Sequence, residues 1–243
     1  MEEVSEYFHM GGIRKIRLSK ALQEIKNNEL NPSFPKVCIY TAIRDPISHF
    51  LSGYNEIETR LLGSWNKTNS GKREIAPYHF RVPYNQTSPG LHRKRFRGFV
   101  EDLLLETPVF GREVMYLHIS AMSRVLIDLK KYNYTLTGYI PELQNITSAW
   151  PAFMASTCPN FYSVETIPSL HIGGQHKSSS DLFGLYAAAK QVWKESGPFS
   201  RALCLLHAFD YACFENLPDG IPFLCQSVYQ DHANQIINVG KKD

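Results

Sequence analysis

The residues best suited to chemistry lie in one short stretch, AIRDPISHFLSGYNE (42–56). Arg44 can offer two parallel N–H donors to a phosphate group. Ser52 lies seven residues after Asp45, about two helical turns, so a helix that begins at Asp45 carries this hydroxyl on the same side as its start. The arginine and the serine could therefore bind one anion along the helix flank. In the purely structural alternative, Asp-Pro simply begins a helix and Arg44 is solvated.

The elements around this stretch determine where its polar side chains lie. VCIYTAI (37–43) is a continuous apolar run rich in β-formers, which is typical of a buried parallel strand. Asp45 is a good N-cap and Pro46 suits the first helical position. Apolar residues then recur with helical spacing, at Ile47, Phe50, Leu51, Tyr54, Ile57, Leu61 and Leu62. Because ligands of open α/β sheets bind at the carboxyl ends of strands, Arg44 occupies a position where an anion site is expected.

The rest of the chain alternates between helical and strand-like patterns. The predicted helices are an early one through Ile13, Ile16, Ala21, Leu22 and Ile25, one through Phe96, Phe99, Val100, Leu103 and Leu104, one through Met122, Val125, Leu126 and Leu129, and two late ones at Leu182–Lys194 and Pro198–Phe214. Further strands are predicted in 113–119 and 135–140. This alternation predicts an α/β fold with an open, mostly parallel sheet and helices on both faces.

Length and composition suit a single domain of this kind. The chain has 243 residues, of which 43% are hydrophobic and 20% charged, so a sizeable core is expected. Its predicted parts are a helical lead-in (1–35), a strand–helix anion site (36–62), a long polar loop (63–92), a helical and strand remainder (93–214) and a tail (215–243).

The charge and the apolar pattern exclude several classes of function. The net charge of +3 is too small to indicate non-specific binding to nucleic acid. No apolar run reaches the roughly 18 residues of a transmembrane segment, and the acidic start MEEVSEYFHM does not read as a signal peptide. A P-loop kinase lacks support because no Walker motif is present.

Two features nevertheless favour a lumenal parent protein. Four N-glycosylation sequons begin at Asn66, Asn85, Asn133 and Asn145. The five cysteines are Cys38, Cys158, Cys204, Cys213 and Cys225. Their spacing matches no zinc site, and no metal is predicted. Ordinary buried thiols are the favoured interpretation, with a short loop closed by Cys213 and Cys225 as the alternative.

The segment IRDPISHFLSGYNE resembles the 3′-phosphate-binding segment of sulfotransferases that use 3′-phosphoadenosine 5′-phosphosulfate (PAPS), and is closest to the Golgi carbohydrate branch. By this likeness Arg44 and Ser52 bind the 3′-phosphate of the nucleotide. His49 stands where that branch often has a second arginine.

Later segments follow the order of the same family, over roughly residues 37–214. FRGFVEDLL (96–104) is similar to its Phe-rich helix, and HISAMSRVL (118–126) to the segment after it. LTGYIPELQNITSAW (136–150), with Glu142, resembles a strand that ends in glycine before an acidic helix start. HIGGQHKSSS (171–180) resembles the loop that closes over the nucleotide, which implies binding roles for His171, His176 and Lys177. HAFDYACF (207–214) resembles the terminal Asp-Tyr-x-x-Phe element.

The resemblance implies a P-loop-NTPase-like sulfotransferase fold. It also implies transfer of a sulfuryl group from PAPS, as co-substrate and without a metal, to a hydroxyl of a carbohydrate acceptor. The parent protein is then expected to be a glycoprotein of the Golgi lumen or membrane, possessing a membrane anchor outside this chain.

One expected part, the loop for the 5′-phosphosulfate, is not visible in the sequence. HMGGIRK (9–15) has two glycines and a lysine but follows no apolar strand, so a helix N-terminus is the favoured interpretation. The chain is therefore expected to be either an N-terminally incomplete enzyme or a catalytically inactive relative that binds or scaffolds. The catalytic residues stay unknown, because His79, His92 and His118 are each better explained as surface or packing residues.

A final candidate is the basic run HRKRFR (92–97), which the sequence places at a helix entrance. Cations are unfavourable at a helix N-terminus, so a partner is expected for them. An acidic glycan or the nucleotide is one interpretation. A solvated patch on a loop is the other, and it is favoured.

Overall fold

The computed structural model describes residues 7–10, 14–28, 38–58, 88–105, 119–140, 146–158, 184–214, 217 and 219–239. The strands are β1 (Tyr7–Met10), β2 (Arg14–Arg17), β3 (Tyr40–Ala42) and β4 (Gly138–Ile140). The helices are α1 (Leu18–Asn28), α2 (Pro46–Glu56), α3 (Pro89–Leu104), α4 (Arg124–Lys131), α5 (Ile146–Thr157), α6 (Leu185–Lys194), α7 (Pro198–Leu206), α8 (Ala208–Cys213) and α9 (Phe223–Val239). The described part of the chain is thus mostly helical, with a small parallel sheet.

The described residues belong to two compact units. The first contains those within 1–44, 122–175 and 216–218, and the second those within 45–121, 176–215 and 219–243. The chain passes from the first unit to the second between Arg44 and Asp45.

The parallel pair β3–β4 lies in the first unit. Tyr40 is opposite Gly138 and Ala42 is opposite Ile140, which confirms a parallel strand within the apolar run 37–43 and a strand within 135–140. Helix α5 covers β4 so closely that a Cβ added to Gly138 would lie 2.7 Å from the Thr157 Cγ2 atom. Any residue other than glycine would therefore require the Thr157 side chain to move, because two carbon atoms do not approach each other this closely.

A second pair of strands corrects the prediction for the lead-in. Residues Arg14–Arg17 form β2, which pairs antiparallel with β1, so the helix predicted to include Ile16 begins only at Leu18. HMGGIRK therefore has strands at both ends instead of a helix N-terminus. The helical pattern was misleading because a short stretch can fit both periods, and only the pairing with Tyr7–Met10 selects the strand. The buried face of α1 contacts α4 through a small core of Leu22, Ile25, Ile39, Val125 and Leu129.

Helices make up the described part of the second unit. Helix α6 packs against α2, α3 and α7, and α7 packs against α9. Helix α3 begins at Pro89, where the Ser88 hydroxyl accepts the Leu91 N–H at 3.3 Å, so the polar loop predicted to reach His92 ends earlier. The helix predicted over Pro198–Phe214 is divided into α7 and α8 at His207. Helix α9 lies in the segment predicted to be a tail (215–243).

Each unit contains one disulfide, Cys38–Cys158 in the first and Cys204–Cys225 in the second. Cys213 is an exposed free thiol. The preference for buried thiols was therefore wrong for all five cysteines, since four are paired and Cys213 is exposed. The pairing of Cys213 with Cys225 was wrong as well. Sequence proximity was misleading because a disulfide needs two Cα atoms about 4.4–6.8 Å apart. Cys204 and Cys225 meet this condition at 5.1 Å.

The helices in the described ranges are too short or too polar to cross a membrane.

Candidate functional site

Helix α2 begins as its sequence predicts. The Asp45 carboxylate caps it, with its Oδ1 atom accepting the Ser48 N–H at 2.6 Å, and Pro46 occupies the first turn. A capping side chain satisfies one of the N–H groups that the first helical turn leaves without a partner. The backbone geometry that follows Arg44 is therefore fixed by local sequence.

A narrow polar stripe runs along α2. Its buried side chains include Ile47, Phe50, Leu51 and Tyr54, all with at most 3% of their surface exposed. The half-buried side chains are Ser48, His49, Ser52 and Glu56. Spacings of three and four residues place these on one face, the same face as the Asp45 cap. We call Ser48, His49, Ser52 and Glu56 the α2 polar stripe. No hydrogen bond to the Ser52 hydroxyl is present among the residues that the structure describes.

Arg44 follows the carboxyl end of the parallel pair. The Ile43 N–H donates to the Ile140 carbonyl at 2.9 Å and so extends the ladder to the residue before Arg44. Arg44 is half-buried and makes at least one interaction within the protein. A ligand would therefore join existing interactions of this side chain. Arg44 belongs to the first unit and Ser52 to the second, and joint binding of one anion stays a prediction.

The structure adds Tyr211 to the start of α2. This residue of α8 donates its hydroxyl to the second carboxylate oxygen of Asp45, with a distance of 3.2 Å. Burial, and then the charge of Asp45, raises the pKa of Tyr211 far above its usual value. Asp45 thus accepts a hydrogen bond on each carboxylate oxygen, which indicates a structural role at the start of α2. Its negative charge would repel an anionic ligand. Sequence reasoning missed the contact, since 166 positions separate the two residues.

A buried histidine–aspartate pair in the segment HAFDYACF (207–214) also packs against α2. The His207 Nδ1 and Asp210 Oδ2 atoms lie 2.9 Å apart, and both side chains are fully buried. The His207 ring meets Phe50 edge to face, with 5.6 Å between ring centroids. The HAFDYACF segment therefore contacts α2 through both Tyr211 and His207.

Helix α3, which contains Phe96 and Phe99, also packs against the buried side chains of α2. The Tyr54 ring lies 4.8 Å from the Phe96 ring and 5.0 Å from the Phe99 ring, all in edge-to-face geometry. Such aromatic pairs add about 0.5–1.5 kcal/mol each beyond the burial of their area. Two of the segments with the sulfotransferase resemblance, FRGFVEDLL (96–104) and HAFDYACF (207–214), thus pack against α2 and support the helix that carries the α2 polar stripe.

The basic run 92–97 does not form the solvated loop patch that the sequence favoured. It lies within α3, and Arg95 is 1% exposed and forms an ion pair with Glu58 at 2.7 Å. Arg93 donates to the Gln191 side chain, and Arg97 pairs with Glu195. The helix begins several residues earlier than predicted, which removes the conflict between these cations and a helix N-terminus.

The other predicted residues have different outcomes. His92 is buried in α3, in agreement with a packing role. His171, His176, Lys177, Glu142, His79 and His118 lie outside the described residues.

The buried tyrosines predict a loss of stability in alkali. Burial raises the pKa of Tyr229, whose hydroxyl donates to the Cys204 carbonyl, from 10.0 to about 12. Between pH 10 and about 12 the unfolded chain has lost this proton and the folded protein keeps it. The unfolded state then binds fewer protons, so the free energy of unfolding falls as the pH rises, and Tyr211 acts in the same direction.

We therefore expect urea midpoints measured at increasing pH to decrease above pH 10, the usual tyrosine pKa. The decrease should be less steep in the Tyr211→Phe/Tyr229→Phe variant, which has no phenolic proton to lose. An unchanged slope in this variant would contradict the assignment.

No family model, no curated protein and no solved structure matches this chain.

Proposed function

We propose that this chain belongs to a PAPS-dependent sulfotransferase that transfers a sulfuryl group to a hydroxyl of a carbohydrate acceptor. In this reaction the acceptor oxygen bonds to sulfur and the bond from sulfur to the 5′-phosphate breaks. The nucleotide leaves as adenosine 3′,5′-bisphosphate, and the acceptor proton goes to a base that we do not assign. The compartment proposed for the parent protein is the Golgi.

The α2 polar stripe is the observation that carries this proposal. The α2 polar stripe holds serine and histidine side chains half-buried, in a row that starts at the N-cap of the helix. Binding of the 3′-phosphate by Arg44 and Ser52 would use this row. The neighbouring His49 would add a hydrogen-bond donor on the same face, in place of the second arginine often found in the family.

The packing around α2 supports the same proposal. Tyr211 and the aromatic rings of α3 hold the helix from segments far apart in the chain. In an open, mostly parallel sheet with helices on both faces, which is the fold we propose, β3 and β4 would be neighbouring strands. The loop with His171, His176 and Lys177 would close over the nucleotide.

One observation favours a second function, a catalytically inactive relative that binds or scaffolds. HMGGIRK, the sequence closest to a 5′-phosphosulfate loop, has an antiparallel strand at each end, whereas a phosphate loop joins a strand to a helix N-terminus. Transfer of labelled sulfate from PAPS to a mixture of glycans, measured with this chain, tests the inactive alternative. Product formation would exclude the inactive alternative.

The 3′-phosphate site alone predicts weak binding. A charge-assisted arginine contact contributes roughly 1.5–3 kcal/mol and a serine hydroxyl about 1 kcal/mol. Their sum of about 2.5–4 kcal/mol corresponds to a millimolar Kd at best. Contacts to adenosine and to the 5′ side must supply the rest.

We expect Arg44→Ala to weaken binding of adenosine 3′,5′-bisphosphate at least tenfold, or about 1.4 kcal/mol, as measured by titration calorimetry. Ser52→Ala should weaken it roughly fivefold, because only one neutral hydrogen bond is lost.

The matched controls are a ligand and a variant. Adenosine 5′-monophosphate lacks the 3′-phosphate, so wild type should bind it more weakly than the bisphosphate, and Arg44→Ala should bind both alike. Arg201→Ala, which removes a surface arginine paired with Asp231, should bind like wild type. If Arg44→Ala still preferred the bisphosphate by the wild-type factor, the site would be assigned wrongly.

A further inference from the structure

The segment 132–136, which follows α4, has alternating exposure. Tyr132, Tyr134 and Leu136 are half-buried and pack against the core of Leu22, Ile25, Ile39, Val125 and Leu129. Asn133 and Thr135 are exposed. Both polar residues of the sequon Asn133-Tyr-Thr therefore face outward together, while the residue between them anchors the segment.

The backbone presents Asn133 at a sharp turn. The Tyr134 N–H donates to the Leu129 carbonyl, and the Asn133 N–H to the Lys130 carbonyl, each at 3.0 Å. Asn133 has a φ of 63°, in the left-handed region. This is the Schellman arrangement at a helix C-terminus, where glycine or asparagine takes the left-handed position. The turn explains an asparagine at 133 but places no requirement on residue 135.

Thr135 differs in this respect from its neighbour Thr137. The Thr137 hydroxyl accepts the Ile39 N–H at 3.2 Å and so helps to join two segments of the first unit. The Thr135 hydroxyl has no hydrogen bond within the part of the chain that the structure describes. It is therefore accessible to the N-glycosylating enzyme, which recognises the sequon.

The disulfides give independent information about the compartment. Cys38–Cys158 and Cys204–Cys225 involve four of the five cysteines. Disulfides of this kind form and persist in oxidising compartments such as the endoplasmic reticulum and are rare in the cytosol. The machinery for N-glycosylation acts in the same compartment.

We propose that Asn133 carries an N-linked oligosaccharide. In the modification, the Asn133 carboxamide nitrogen bonds to the anomeric carbon of an oligosaccharide and loses one proton. The bond from that carbon to the pyrophosphate of the lipid-linked donor breaks. The glycan projects from the exposed end of α4 and leaves the half-buried tyrosines on either side packed against the core.

The test expresses the full chain behind a cleavable secretion signal in a eukaryotic host. Peptide-N-glycosidase converts a glycosylated asparagine to aspartate, which peptide mass spectrometry detects at position 133. We expect this conversion in the majority of molecules. The measurement is made on secreted protein, or on the membrane-enclosed fraction if the protein is retained.

Three variants distinguish the effect of losing the sequon from the effect of changing the turn. Thr135→Ala removes the sequon and leaves Asn133 in the turn, and Asn133→Gly removes the acceptor and suits the left-handed backbone. Each should lose one glycan on a denaturing gel, whereas Thr135→Ser should keep it.

Unmodified Asn133 in wild-type protein that carries a glycan at Asn66, Asn85 or Asn145 would overturn the proposal. So would complete absence of glycan from protein with both disulfides formed. Neither outcome bears on nucleotide binding, because the proposal uses no residue of the α2 polar stripe and does not use Arg44.

Discussion

Replacement of Arg95 by methionine is expected to lower the free energy of unfolding of the second unit by about 3–5 kcal/mol. The Arg95 guanidinium and the Glu58 carboxylate lie 2.7 Å apart, and their side chains are 2% and 0% exposed. Removal of one partner leaves the other charge buried and short of its main counter-charge. Urea denaturation followed by circular dichroism measures the change.

The Arg97–Glu195 pair is the matched control for this prediction. It uses an arginine of the same helix, but its side chains are 39% and 40% exposed, so Arg97→Met should cost about 0–1 kcal/mol. The Arg95→Met/Glu58→Leu variant removes both buried charges and should recover much of the loss, since apolar replacements of a buried pair are often neutral. If Arg95→Met and Arg97→Met had equal effects, Arg95 could not be buried against Glu58.

The second large effect is expected for the disulfide Cys38–Cys158. It closes a loop of 120 residues, and the chain-entropy model assigns to such a loop about 5 kcal/mol of stability. Folded domains have only about 5–15 kcal/mol in total. The Cys38→Ser/Cys158→Ser variant should therefore leave the first unit largely unfolded. Hydrogen exchange monitors this through amides of the β3–β4 pair.

The second disulfide provides the comparison. Cys204–Cys225 spans 21 residues, and the same model gives about 3 kcal/mol. Removal of this bond should destabilise the protein less and should affect the second unit. Cys213→Ser replaces an exposed free thiol and should change stability by less than about 0.5 kcal/mol. Equal stability of all three variants would show that the four cysteines are not paired.

Each unit contains elements that could be predicted from the sequence and elements that could not. In the second unit, Asp45 and Pro46 determine the start of α2, and the apolar spacing after them identifies its buried face, because caps and periodicity act within a few residues. In the first unit, Arg14–Arg17 fits a helical period and yet forms a strand. Strand pairing is a contact with another segment, which local periodicity does not record.

The candidate site likewise combines features that the local sequence predicts with contacts between distant residues that it does not predict. The sequence by itself determined the α2 polar stripe, the cap at its start and the position of Arg44 after an apolar strand, because periodicity, capping and apolar runs are all local features. Only the tertiary structure decided that Tyr211 binds Asp45, that Arg95 is buried against Glu58 and that Cys38 pairs with Cys158. These partners are 37 to 166 residues apart. Which distant residues meet depends on how the helices and strands pack. That packing is determined by the free energy of the whole folded chain and not by any single segment.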